Sequence, residues 1–208
     1  MPDRAAGDQR WTVVGTGVAG VTRVDTYDDR LRAAAFEAVR RGWPVAPGVD
    51  GIDAEGFAEV RPVVRNGDMA LVRDPDQAWR VWEQRPYGVL LACGRGVDAL
   101  EVPFRVMELL PALASAGLAV PVATAAAPSR WVLVVATGSG TLRDDLAAAS
   151  VCLRGIGQWV ALPPTTPAGQ PPLRWTTLPA EDPDTALPSA DEVQLVLAEA
   201  LRSGTSEC

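Results

Sequence analysis

Asp98 and Glu101 stand beside the glycine-rich segment Gly94-Arg95-Gly96, a setting in which strand-borne carboxylates hold divalent cations for phosphoryl transfer. Their spacing works against that chemistry. Side chains alternate across a strand, so residues three apart face opposite ways, while a chelating pair needs an offset of two. The offset-two neighbours are Leu100 for Asp98, and Ala99 or Pro103 for Glu101, so neither register supplies a second acid.

A second pattern, Gly15-Thr16-Gly17-Val18-Ala19-Gly20, matches the dinucleotide-binding G-x-G-x-x-G and follows Val13-Val14. That motif holds a pyrophosphate at a helix N-terminus, so a helix must follow at once and an acid must come about 20 residues later. Here residues 21–28 are rich in β-branched side chains and include Asp25 and Asp28, and no well-placed acid precedes Asp50. A glycine-rich hairpin or loose arm is the expected structure.

The chain of 208 residues contains no histidine. This removes Ser-His and Cys-His nucleophiles, histidine general bases and histidine metal ligands from the chain alone. Cys93, Cys152 and Cys208 are far apart and lack the C-x-x-C spacing of zinc sites, which points to free thiols in a reducing cytoplasm. With 26 Asp and Glu against 19 cations, the net charge is −7. A protein that lives on nucleic-acid phosphates carries the opposite field, so any such contact needs a local arginine cluster. Every cation is arginine, in keeping with GC-rich coding bias. Arg130, Arg154 and Arg174 fall near turns that flank strands, where a guanidinium can meet phosphate, although solvation or a carboxylate partner is the commoner fate. Trp79, Trp82, Trp131 and Trp159 offer ring faces for base stacking, although aromatics at helical spacing more often fill a core.

These residues need elements to position them. Leu31, Ala34, Ala35, Ala38 and Val39 form a helical stripe that follows Asp28-Asp29 and ends at Gly42, and Trp43-Pro44-Val45 starts an extended segment. Asp74-Pro75 predicts an N-cap with proline at N1, and Pro86 stops the helix that carries Trp79 and Trp82. Strands are expected at 89–92, 100–102, 131–136, 158–162 and 173–175. Helices are expected at 104–115, bent or interrupted at Pro111, and at 141–153. Residues 179–190 read as a linker or surface tether. Ser189 and Glu192 have capping-box spacing ahead of an amphipathic helix with Val193, Val196, Leu197, Ala200 and Leu201 on one face. Leu109 to Ser129 carries no charge, but Pro111, Gly117, Pro121 and Pro128 make it helix, turn and strand rather than a membrane span. Alternating helices and short strands imply an α/β or α+β fold in one domain.

Taken in order, several of these segments resemble the N-terminal domain of bifunctional DNA primase/polymerase proteins. This is the prim-pol branch of the archaeo-eukaryotic primase superfamily, here in a shortened, actinobacterial style. Leu31 to Val45, ending Gly-Trp-Pro-Val, is similar to the family's opening helix and strand. Asp74 to Trp82, Arg85-Pro86 and Val89 to Gly94 are similar to its D-P-x-x-x-x-x-W helix, R/W-P turn and I-A-T-G strand. Arg154-Gly-Ile-Gly-Gln-Trp-Val-Ala-Leu-Pro-Pro164, with Ala168-Gly169 and Trp175, is similar to its R-G-x-G-G-Y-V-V-A-P-P…S-G…Y-x-W stretch. The resemblance covers residues 30–178. It implies a prim-pol-like fold, a mixed or antiparallel sheet flanked by helices in a single compact domain. It divides the chain into a glycine-rich arm at 1–28, the prim-pol-like domain at 29–178, and a linker with a C-terminal amphipathic helix at 179–208.

Active members, by the same resemblance, hold two metal ions with a D-x-D pair on the strand after the A-T-G turn and a further Asp just ahead of the R-G turn, and they contact the triphosphate with a His. On this sequence the three acidic positions fall at Glu101, Pro103 and Cys152, and the His has no counterpart. Glu101 is then the only vestige of the catalytic ligand set, and no metal or other cofactor is expected. The leading expectation is a catalytically degenerate module that binds nucleotide or nucleic acid, or regulates, through Arg130, Arg154, Ser129 and Trp159. One alternative is an active Mg²⁺- or Mn²⁺-dependent primase/polymerase completed by a partner subunit or by carboxylates such as Asp98 or Asp144. Another is a protein-interaction module that docks a partner or a second copy without any nucleic-acid ligand. Each reading is cytoplasmic and involves no membrane.

Overall fold

Reciprocal hydrogen bonds start the first helix: the Asp29 amide donates to Thr26 Oγ1 and the Thr26 amide to the Asp29 carboxylate, each at 3.2 Å. In the computed structural model, which describes residues 25–52, 56, 58–124 and 130–204, this helix, α1, spans Tyr27–Arg40. It buries Leu31, Ala35, Ala38 and Val39, the stripe read from the sequence. Asp74 caps α2 (Pro75–Gln84) by accepting from the Gln77 amide at 2.7 Å, with Pro75 in the first turn, where its missing N–H costs nothing. The two helices pack on each other and cover one face of an antiparallel sheet, where Leu31, Ala35 and Trp82 meet Val45, Val89 and Leu91.

That sheet has four strands in the order β10 (Trp159–Ala161), β5 (Gly88–Ala92), β1 (Val45–Ile52) and β2 (Ala58–Pro62). A second antiparallel sheet runs β11 (Arg174–Thr177), β7 (Val122–Thr124), β8 (Arg130–Ala136), β6 (Val97–Pro103) and β9 (Cys152–Arg154). Val64–Arg65 and Asp68–Met69 form a small hairpin, β3 and β4. On the second sheet, Leu100, Val102, Trp131, Leu133 and Val135 are packed beneath α3 (Leu110–Ser115), α4 (Asp144–Ala148) and α5 (Ala190–Gly204). Ser189 and Glu192 close the predicted capping box on α5, with the Ser189 amide donating to Glu192 Oε2 at 2.8 Å. That bond, and the one from the Ser189 hydroxyl, hold the Glu192 carboxyl below its usual range.

Three readings of local structure change. The helix expected over 141–153 is only the short α4, because Ser150 adopts φ 64° and residues 152–154 pair with β6 instead. The apolar periodicity of Leu142, Leu146 and Leu153 mimics a helix, but cross-strand pairing prevails at its end. The segment 104–115 is interrupted rather than bent, and the break falls just ahead of Pro111. It splits into a 3₁₀ turn at Phe104–Leu109 and α3, with Pro111 in α3's first turn rather than its interior. β6 is longer than expected and begins at Val97. Among the described residues no helix is long and apolar enough to cross a membrane.

Residues 179–190 run over the surface, tied down where the Arg41 guanidinium donates to the Ala180 carbonyl and the Ala136 amide to that of Pro188. The glycine pattern at residues 15–20 lies outside the described residues.

Candidate nucleotide-binding site

One bent ribbon joins the two sheets. β5 pairs with β10 in the first sheet, and their continuations β6 and β9 pair in the second. The bend is made by Gly94-Arg95-Gly96 on one strand and Gly155-Ile156-Gly157-Gln158 on the other, bridged where the Cys93 amide donates to the Gln158 carbonyl at 3.0 Å. Gly94 adopts φ +83°, and a Cβ there would run into the Ile156 backbone, so the two turns touch as only glycine allows. Asp98, 1% exposed, accepts the Gly94 amide at 2.7 Å. Its carboxylate therefore holds the bend, on the face of β6 opposite to Glu101, as strand alternation requires.

The other face of the second sheet gathers most of the residues singled out from the sequence. Glu101 pairs across strands with Cys152, Ala99 with Arg154, and Pro103 with Arg130, which puts all six on one face. Arg154 donates from Nε to Glu101 Oε2 at 2.8 Å, and its Nη2 lies 2.6 Å from the same oxygen. Glu101 is 17% exposed in this pair and Arg154 37%. Arg130 Nη1 points to the Ser150 carbonyl at 3.1 Å, the Glu101 carbonyl at 3.4 Å and Cys152 Sγ at 3.7 Å. The protein's own acceptors thus engage both guanidiniums.

The other sequence candidates lie elsewhere. Trp159 is on β10, in the first sheet, where it packs against the buried cluster of Ala46, Val60 and Leu90 and its Nε1–H donates to the Val60 carbonyl at 3.2 Å. Trp82 and Trp131 are core side chains, while Trp79 remains 45% exposed beneath the Arg32 guanidinium. Asp144 sits exposed at the start of α4, and Arg174 is exposed on β11. Ser129 lies outside the described residues. Cys93 is buried at the end of β5, and burial, with the Asp98 charge beside it, pushes its thiol up to about 12.

Hard divalent ions take several oxygen ligands, usually with more than one carboxylate between them. The face around Glu101 offers a single carboxylate, already claimed by Arg154, and its neighbours are a proline, a thiol and a second arginine. Among the described residues no group of three His, Cys, Asp or Glu side chains is placed to hold a metal ion. This donor set does not fit the metal pair implied by the resemblance.

Sequence reasoning passed over a cavity of about 720 Å³ beside the bend, between the β3–β4 hairpin, the start of α2 and the two glycine turns. Arg73 and Arg95 line it. Arg95 between two glycines was the only local signal, and nothing in the sequence ties it to Arg73.

Among the described residues, the two larger antiparallel sheets flanked by α1–α5 and joined at the bend define an α/β domain of the kind the resemblance implied. The family model for bifunctional DNA primase/polymerase, N-terminal, matches residues 35–190, and the chain belongs to that family as a DNA primase/polymerase-like domain. No curated protein matches the chain closely enough to lend it a narrower identity.

Proposed function

We propose that this domain is a catalytically degenerate primase/polymerase-like module that binds nucleotide or nucleic acid at the Glu101 face rather than polymerising it. One observation carries this reading: the single acid on that face is neutralised by Arg154 while proline and cysteine occupy the neighbouring positions. Nucleotidyl transfer needs metals held against a polyanionic triphosphate, and a carboxylate already bonded to a guanidinium lacks the charge to hold them. The same face suits an anion better than a cation. A phosphate arriving there can exchange with Glu101 for the Arg154 guanidinium, a bidentate donor matched to phosphate, while Arg130 adds positive charge. With a net charge of −7, such contacts give weak, salt-sensitive binding. Free thiols at Cys93 and Cys152 fit a reducing cytoplasm.

Primer extension with Mg²⁺ and with Mn²⁺ tests the reading. No dNTP incorporation above background is expected, and incorporation by the chain alone overturns it. The Pro103→Asp/Cys152→Asp variant places two carboxylates around Glu101, and Mn²⁺ binding, absent in the wild type, is expected to appear in its electron paramagnetic resonance titration. A concentration-dependent shift in size-exclusion elution, with no nucleotide or oligonucleotide bound, would favour a protein-interaction role instead.

A further inference from the structure

Residues 109–129 hold no charged side chain, and neither do residues 175–180. The fold brings the two stretches together. α3, the turn at Gly117, β7 and the edge strand β11 enclose a groove of about 720 Å³ on the helix-bearing face of the second sheet. Leu113, Leu118, Val122 and Trp131 wall it with Thr176 and Thr177 of β11, and every residue of the lining is uncharged. Leu178 follows Thr177 directly and is 73% exposed, an apolar knob at the edge of the groove. Trp131 adds a donor. Its indole N–H is buried with no acceptor among the described residues, so an occupant that carries carbonyls can make a bond there that a hydrocarbon cannot.

Charge decides which chain fits. A two-fold dimer sets the same patch of each copy against itself, so a charge near the axis meets its own like. With a net charge of −7 on each copy, a patch free of charge is where two of them approach at least cost. Homodimer interfaces are also more apolar than those between unlike chains. A knob and a groove side by side suit a two-fold contact, because each copy then gives one knob and receives one. We propose that this face is a self-association surface, in which Leu178 of each copy enters the groove of the other. The groove lies on the sheet face opposite Glu101, so the dimer leaves the proposed binding face open and does not depend on that reading.

Sedimentation velocity of the full chain over a concentration series tests this. A monomer–dimer equilibrium is expected, with a dissociation constant of roughly 1–100 µM, as suits a small interface. Leu178→Arg and Ala114→Glu, the second placing a carboxylate in the groove, are each expected to weaken it at least about hundredfold, because both halves of a two-fold contact are lost together. An equimolar mixture of the two variants is expected to regain the dimer, since one of its contacts pairs the new guanidinium with the new carboxylate and the other is wild type. Both positions are exposed, so each variant is expected to keep the wild-type melting temperature. Salt is expected to tighten the dimer by screening the two net charges, whereas phosphate binding at the Glu101 face weakens with salt. A wild type that stays monomeric up to about 500 µM overturns the proposal. So does a dimer indifferent to both substitutions, or a mixture of the variants that stays monomeric. Binding of the apolar dye anilinonaphthalene sulfonate to a monomeric wild type, abolished by Ala114→Glu, would make the occupant a different molecule and would also overturn it. None of these outcomes bears on primer extension or Mn²⁺ binding, so failure here leaves the proposed function standing.

Discussion

Two pairs of arginines, Arg130 with Arg154 and Arg73 with Arg95, are treated in opposite ways. Arg130 and Arg154 are engaged by a carboxylate, two carbonyls and a sulfur of the same chain, with Glu101 offsetting one of their two charges. Arg73 and Arg95 have no such acceptors among the described residues. The first pair contributes to the fold, so removing its members costs stability. The second contributes little to the fold, so its members can be removed freely unless a ligand is present. Exposure alone does not separate them, because Arg154 is itself over a third exposed; what separates them is whether a partner is built in.

The largest expected effect breaks both regions together. Gly94→Val forces a β-branched side chain into positive φ and against the Ile156 backbone, with an expected loss of about 3 kcal/mol or more in urea unfolding. Next comes the buried acid that holds the bend. Asp98→Ala leaves the Gly94 amide without its acceptor and is expected to cost about 1–3 kcal/mol, and Asp98→Asn, which keeps an acceptor, distinctly less. The comparison itself is sharpened by Arg154→Ala, expected to lower stability by about 1 kcal/mol once solvent screening of this partly exposed pair is allowed for. Arg73→Ala and Arg95→Ala are expected to leave the melting temperature unchanged without ligand.

The two thiols report on the same region. At pH 8, Cys152 is expected to react with maleimide well before Cys93, measured by mass spectrometry of labelled peptides. Because the folded state raises the Cys93 thiol from about 9 to about 12, its neutral form contributes stability that is complete below pH 9 and lost as pH climbs towards 12. Cys93→Ala is expected to flatten that alkaline slope. The smallest effect lies far from the bend. Glu192 has its carboxyl held below its usual range, so its contribution is present above about pH 4.5 and fades as acid protonates it. Glu192→Gln is expected to remove that acid-side slope and lower the melting temperature by no more than a few degrees.

Where local chemistry decides structure, the elements were readable. Caps at Asp74 and Ser189, the stripe from Leu31 to Val39 and the run Trp131 to Ala136 each carry their own instructions, and the structure follows them. Local chemistry misleads at 141–153, where leucines at helical spacing end in a strand that exists only because β6 is there to pair with it. β3 and β4 have two residues each, too few to show a period. The site divides in the same way. Glu101 and Arg154 were both suspect from their motifs, but their bond spans 53 positions, and only the pairing of β6 with β9 brings it about. Arg73 and Arg95 line the same cavity only because the fold brings the start of α2 beside the bend, which no window of the sequence contains.

The doubled crossing between the sheets has one more consequence. Each strand of it is stitched to its neighbour on both sides of the corner, so a hinge there would have to fold two chains at once and shear the bonds between them. The halves therefore hold a constant gap, and whatever enters does so through a mouth that already stands open. Association should then show a single kinetic phase whose rate rises linearly with ligand concentration, with no slow isomerisation behind it.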